Sequence, residues 1–163
     1  MRVPLFAIPL ESEQDVVVAR QRARDVAARI GFDLQDQTRI ATAVSEIARN
    51  AYVYARGGAA EFTVEGRTPP QVLVVTVRDR GAGIPNLDEI LEGRYKSRTG
   101  MGIGIVGAQR LVDRFSIEST PQGTTVVMSK LLPRKAAVLT PEPLTRMAAE
   151  MLADRSWTPL QEI

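Results

Sequence analysis

The stretch TAVSEIARNAYVYA, residues 42–55, decides how this chain folds. Its apolar residues recur at helical spacing, and at about 100 degrees per residue they fall on one face. The face predicted to be buried consists of Ile40, Ala43, Val44, Ile47, Ala51 and Tyr54. Asn50 falls on the edge of this stripe and Glu46 lies just beyond it. They are either a hydrogen-bonded pair at the core boundary or an acceptor pair at a cleft, in which a carboxylate base stands beside an amide oxygen suited to Mg²⁺.

Composition restricts the class of protein. The chain has 163 residues, 44% of them hydrophobic and 25% charged, as expected of one globular domain. It contains neither an apolar run of about 20 residues nor a signal pattern, so a cytoplasmic protein without a membrane span is expected. The lack of cysteine and histidine excludes thiolate chemistry, imidazole bases and a phosphohistidine on this chain. The net charge is only +2, its small excess of basic residues is scattered along the chain, and aromatic residues are few. These features argue against nucleic-acid binding.

The flanking segments predict the element order β-α-α-β-β-α-β-β. Residues 2–10 contain two prolines and suit an edge strand, and Ser12 with Asp15 can cap a helix that runs to Gly31. Hairpins are predicted at 60–78 and at 115–132, and a short polar helix is expected to end near Ser97. This order predicts a two-layer α/β sandwich, with a mixed, mainly antiparallel sheet and helices on one face.

Two glycine-bearing loops could hold a ligand. In VVTVRDRGAGIP, residues 74–85, a hydrophobic strand delivers Asp79 to a loop where glycines allow close approach of a flat ligand. In SRTGMGIGIVGAQRL, residues 97–111, three alternating glycines precede a helix, so backbone N–H groups and a helix N-terminus suit anionic phosphates. Taken singly, the first loop is equally a plain turn. The second is neither a dinucleotide-binding fingerprint nor a P-loop.

Together and in this order, these stretches and the GTT at 123–125 resemble the ATP-binding boxes of the GHKL superfamily, which adopts the Bergerat fold. The resemblance covers roughly residues 5–132. Within the superfamily, the chain is most similar to the RsbT-, RsbW- and SpoIIAB-type serine/threonine kinases of bacterial stress signalling. The segment between Ile84 and Gly100 is short, unlike the lids of gyrase-type clamps.

The resemblance implies a role for each matching residue. Asn50 is the expected Mg²⁺ ligand and Glu46 the base that activates the attacking hydroxyl. Asp79 is expected to read the adenine amino group, and Arg98 to contact the terminal phosphate as a second catalytic residue. Lys96 is equally compatible with a solvated surface. The remaining nucleotide-binding residues implied are Gly81, Gly83, Ile84, Thr99, Gly100, Met101, Gly102, Ile103, Gly104, Thr124 and Thr125.

The function implied is that of an ATP- and Mg²⁺-dependent serine/threonine kinase that phosphorylates a STAS-type antagonist protein. A phosphatase or a sigma factor is a further partner that the resemblance suggests. Two alternatives stay open at this point. The chain could be the ATP-binding module of a larger sensor histidine kinase, or a non-catalytic module that sequesters a regulator while it holds ATP.

The C-terminal segment differs in kind from the rest. Residues 1–133 are expected to form the kinase domain, and 134–163 a linker and an amphipathic helix that leads towards a further domain. The apolar stripe of this helix is Leu144, Met147, Ala148, Met151 and Leu152. Such a stripe needs a cover. We expect it to dock on the open face of the sheet or to pair with a second copy in a homodimer.

Overall fold

The computed structural model describes residues 1–55, 57–92 and 101–154, without the side chains of 101–103. Five strands and five helices are found in these ranges: β1 (Arg2–Pro9), α1 (Glu13–Arg29), α2 (Leu34–Ala55), β2 (Gly58–Glu65), β3 (Val72–Asp79), α3 (Leu87–Leu91), α4 (Met101–Leu111), β4 (Arg114–Thr120), β5 (Gly123–Leu131) and α5 (Pro141–Ala153). The predicted order of elements is confirmed. The predicted end of the short polar helix near Ser97 lies outside the described residues.

The strands form one sheet in the order β1-β2-β3-β5-β4. All four pairings are antiparallel, in agreement with the predicted, mainly antiparallel sheet. β1 is an edge strand, as its two prolines predicted, and its register with β2 shifts between Pro4 and Phe6. Because of this shift, the neighbours Leu5 and Phe6 are both buried.

α1 and α2 pack on each other, and α2 also contacts β2, β3 and β5. The predicted capping box of α1 is present, because Ser12 Oγ accepts from Asp15 N while the Asp15 carboxylate accepts from Ser12 N. Alternate residues of β3 face this helical layer, with Leu73, Val75 and Val77 buried in the core.

The buried stripe predicted for α2 is confirmed for five of its six members, which are 0–2% exposed. Tyr54 was expected there, but it is 40% exposed. It lies in the last turn of α2, where the helix borders an open cavity instead of the packed core.

α5 packs against β1, and the buried side chains of Leu144, Ala148 and Met151 belong to the main core. The expectation of docking on the open face of the sheet is therefore wrong, because the helix adds to the core that α1 and α2 share. Leu152 is 49% exposed. The division of the chain at residue 133 and the pairing with a second copy stay predictions.

Gln71 attaches the segment before α5 to the sheet. This side chain is 3% exposed, and its amide exchanges two hydrogen bonds with the backbone of Leu139, each 2.8 Å long. Its nitrogen also donates to Gly66 O at 2.9 Å. One side chain thus makes hydrogen bonds to three backbone groups.

No helix in the described part of the chain is long and apolar enough to cross a membrane.

Candidate functional site

A cavity opens between the C-terminal half of α2, the end of β3 and the β4–β5 hairpin. Its open space, the mouth included, is about 480 Å³. Its wall is mostly apolar, with a few polar groups. It consists of Ile47, Asn50, Ala51, Tyr54, Ala55, Val77, Asp79, Gly81, Ala82, Gly83, Ile84, Ile105, Ile117, Thr124 and Val126.

Asp79 is the acidic group of this wall. It is half-buried at the end of β3, and its Oδ1 accepts from Gly81 N at 2.9 Å and from Thr124 N at 3.1 Å. These two bonds fix the carboxylate in place. Its Oδ2 makes no hydrogen bond within residues 1–55, 57–92 and 101–154, and it can accept from a ligand.

The glycines of the loop after β3 are required by close packing. A Cβ at position 81 would lie 2.6 Å from the Cβ of Ala55, so the loop touches the end of α2. Gly83 has a φ of +90°, and a Cβ there would collide with the backbone oxygen of Thr120. The loop is thereby held against both α2 and the β4–β5 hairpin, where it forms part of the cavity wall.

Glu46 and Asn50 lie one turn apart on α2, and both are half-buried at the rim of the core. Asn50 lines the cavity, whereas the Glu46 carboxylate is directed at α4. A Cβ at Gly104 would lie 2.9 Å from Glu46 Oε2 and 3.8 Å from Asn50 Oδ1. The pair therefore stands against the beginning of α4. An amide oxygen beside a carboxylate is a donor set that suits Mg²⁺ when phosphate oxygens complete its coordination.

The structure brings together eight of the residues singled out from the sequence: Asn50, Asp79, Gly81, Gly83, Ile84 and Thr124 in the cavity wall, and Gly104 against Glu46. The predicted phosphate contacts Lys96, Arg98, Thr99 and Gly100 lie outside the described residues. Met101, Gly102 and Ile103 are described only as the first residues of α4.

Thr125 is placed elsewhere. It pairs with Arg78 across β3 and β5 and lines a separate groove together with Arg78 and Arg80. Successive side chains of a strand point to opposite faces. Since Thr124 lines the cavity, Thr125 faces away from it.

Ser119 was not anticipated from the sequence. It lies on β4 opposite Thr124, and its Oγ accepts from Ile84 N at 2.6 Å. The same Oγ is 2.9 Å from Thr124 Oγ1. A lone serine in a strand has no local sequence signal, and only the pairing of β4 with β5 places it beside the cavity.

Known proteins resemble this chain over most of its length, including the segments that form the cavity. A family model described as a histidine kinase-like ATPase domain matches residues 8–130. The serine/threonine-protein kinase RsbT of Bacillus subtilis is 37% identical over 126 residues, which cover 77% of this chain and 95% of that protein. An anti-sigma F factor of Bacillus licheniformis is 30% identical over 133 residues, or 77% of this chain and 90% of that protein.

A solved structure supports the fold. The crystal structure of the RsbU and RsbW domains of a Mycobacterium tuberculosis protein superposes with a TM-score of 0.56 at 22% sequence identity. The match covers 83% of this chain and 35% of that one. At this identity the likeness concerns the fold alone.

Proposed function

Because the chain belongs to the histidine kinase-like ATPase family, in its group of RsbT-type and anti-sigma-factor kinases, we propose that it transfers the terminal phosphate of ATP to a serine or threonine of a small partner protein. The observation that carries the proposal is that a fixed acceptor, Asp79, and Asn50 line one cavity, with Glu46 one helical turn from Asn50 and against the start of α4. The end near Asp79 suits a nucleobase, and the end near Asn50 and Glu46 suits a phosphate.

The end near Asp79 suits adenine. The free Oδ2 of Asp79 can accept from the exocyclic amine, and apolar side chains such as Ile84 and Ile117 can cover the ring. A 6-oxopurine presents a carbonyl oxygen where adenine has its amine, and so sets acceptor against acceptor. Leaving a buried polar group unmatched typically costs about 1–3 kcal/mol. We therefore expect ATP to bind more tightly than GTP, which calorimetry can measure.

The end near Glu46 suits phosphoryl transfer, which needs positioning and neutralisation of charge more than covalent chemistry. Mg²⁺, when bound to phosphate oxygens, would supply that neutralisation, and Asn50 would hold it through its amide oxygen. The acceptor hydroxyl oxygen attacks the terminal phosphorus as the bond from that phosphorus to the bridging oxygen of ADP breaks. The proton of the hydroxyl passes to the Glu46 carboxylate.

We further propose that the partner is a STAS-type antagonist protein in a cytoplasmic switching circuit, in which a phosphatase reverses the transfer and a sigma factor is a downstream target. The support is the similarity to RsbT over most of both chains. The exposed apolar side chains of Val53 and Tyr54 in the last turn of α2, where Tyr54 lines the cavity, also agree with a protein substrate.

The experiment is the transfer of labelled phosphate from saturating ATP to purified STAS-domain proteins, with wild type compared with Glu46→Gln. The amide keeps the size and shape of the carboxylate but cannot take the proton. Transfer should fall by about 10²–10⁴-fold, the usual contribution of a general base, while ATP affinity stays nearly unchanged. Glu150→Gln, on the exposed side of α5, is the matched control and should transfer normally.

Two outcomes would contradict the proposal. Equal transfer by wild type and Glu46→Gln would show that Glu46 is not the general base and only lies at the boundary of the core. Tight ATP binding without transfer by either protein would favour a non-catalytic, sequestering module.

A further inference from the structure

One cross-strand pair of the last hairpin holds both ends of the glycine loop, residues 80–84. Ser119 on β4 and Thr124 on β5 lie directly opposite each other. The backbone N–H of Thr124 donates to Asp79 Oδ1 at 3.1 Å, immediately before the loop. Ser119 Oγ accepts from the backbone N–H of Ile84 at 2.6 Å, where the loop ends. Both ends of the loop are therefore attached to a single residue pair of the hairpin.

The hydrogen bond at Ile84 has a fixed direction. A backbone N–H can only donate, so Ser119 Oγ is the acceptor, whichever hydroxyl donates in its contact with Thr124 Oγ1. Within residues 82–86, Ile84 is the one residue whose backbone N–H makes a hydrogen bond to a described residue. Pro85, which follows it, has no N–H to offer. In this stretch of the described chain, Ser119 thus supplies the backbone's one hydrogen-bond acceptor.

Close packing supports the hydrogen bond at Ile84. Gly83 has a φ of +90°, and a Cβ there would lie 3.1 Å from Ser119 Oγ and would collide with the backbone oxygen of Thr120. A residue with a side chain could not approach β4 as closely. The side chain of Ile84 packs against the core and, like Asp79, lines the cavity. Ser119 thus determines where this part of the cavity wall stands, although its own side chain does not line the cavity.

We propose that Ser119 is a positioning residue, which holds Ile84 and the glycine loop in the form that binds the base before the nucleotide arrives. The inference rests on the proposed nucleotide site and adds to it a residue that does not touch the ligand. A loop that is already held loses less conformational freedom on binding, and affinity is higher for that reason. Removal of the hydroxyl should therefore weaken nucleotide binding. The rate of transfer at saturating ATP depends on the other end of the site, near Glu46, and should not change.

The test compares wild type with Ser119→Ala on the full chain. We expect the dissociation constant of ADP, measured by calorimetry, and the KM for ATP to rise by about 3- to 10-fold, the equivalent of one hydrogen bond. The kcat of labelled-phosphate transfer should stay level. Ser119→Thr, which keeps the hydroxyl, should restore both constants. Ser116→Ala, on the exposed face of the same strand, is the matched control and should behave as wild type.

Hydrogen exchange of the Ile84 amide shows directly whether the loop is held before the nucleotide binds. In nucleotide-free wild type this amide should exchange slowly, and in Ser119→Ala it should lose its protection while the amides in the middle of β3 keep theirs. An Ile84 amide that exchanges in nucleotide-free wild type as fast as in an unstructured peptide would overturn the inference, and this measurement needs no variant.

Two results with the variant would also overturn the inference. One is an unchanged affinity of Ser119→Ala for ADP. The other is a fall in kcat together with lost protection in β3, which would mark a general loss of structure. In both cases ADP binding by wild type leaves the proposed function standing. Failure of wild type to bind ADP would overturn the proposed function as well.

Discussion

Gly104→Ala should separate the stability of this domain from its activity. In the present structure a Cβ at position 104 would lie 2.9 Å from Glu46 Oε2, whereas ordinary contacts begin at 3.4 Å. The carboxylate must therefore move by at least the difference, 3.4 − 2.9 = 0.5 Å. The two polar atoms of the Asn50 amide, at 3.8 and 3.9 Å, remain in ordinary contact and need not move.

Gly104→Ala should lower the rate of phosphate transfer without lowering the free energy of unfolding. A misplacement of about 1 Å at a reacting group can cost about 10²-fold in rate, so a shift of half that size or more should lower transfer by roughly 10- to 100-fold. Alanine is better than glycine in a helix interior by about 0.8–1.0 kcal/mol. The free energy of unfolding should therefore rise or stay level. The backbone N–H at position 104 is kept, so ATP affinity should change little.

Labelled-phosphate transfer at saturating ATP, together with thermal unfolding, measures both effects. Gly107→Ala is a matched control in the same helix, because a Cβ there meets no heavy atom within 4 Å. It should gain stability and keep full transfer. In a Glu46→Ala background, Gly104→Ala should have no further effect on the residual transfer, as expected of two coupled sites. Transfer by Gly104→Ala equal to that of Gly107→Ala would refute the steric reasoning.

Three further substitutions test other parts of the molecule. Asn50→Ala should abolish the Mg²⁺-dependent part of ATP affinity and leave the unfolding midpoint nearly unchanged; normal binding of Mg-ATP in a calorimetric Mg²⁺ titration would make Asn50 a boundary residue. Arg22→Met should stabilise the fold or be neutral. Burial lowers the pKa of Arg22, and its Nε is buried without a hydrogen-bond partner among the residues that the structure describes. Its stacking over Phe6 at 5.7 Å adds only about 0.5–1 kcal/mol against the roughly 1–3 kcal/mol of an unmatched donor. A large loss in denaturant midpoint would contradict this. Gln71→Leu should cost about 3 kcal/mol or more, since it leaves three backbone groups of Gly66 and Leu139 unmatched; an unchanged melting temperature would show that water replaces the amide.

Local patterns allowed much of this fold to be predicted. The capping box at Ser12 and the apolar period of α2 depend on neighbours within one or two helical turns. The same period placed Glu46 and Asn50 at the rim of the core before any tertiary contact was known. The prolines of β1 likewise indicated an edge strand from the chemistry of a missing donor.

What could not be predicted depends on contacts between distant segments. The approach of Gly104 to Glu46 joins α4 to α2, and the hydroxyl pair of Ser119 and Thr124 exists only once β4 and β5 are paired. Tyr54 continues the helical period of α2, yet it is exposed because the sheet gives way to a cavity at that turn. The apolar stripe of α5 called for a cover without indicating that β1 would supply it.

The wall of the cavity combines residues 47–55 with residues 117–126, two segments that are far apart in the chain. During synthesis, nucleotide therefore has nothing to bind until the last hairpin has left the ribosome. ATP acts as a ligand of the finished domain only, and at a concentration 100 times its dissociation constant it would add about 2.7 kcal/mol to the free energy of unfolding. For a domain of this size that corresponds to a rise of about 5–10 °C in melting temperature. Depletion of ATP would thus lower the free energy of unfolding of the protein as well as slow its reaction.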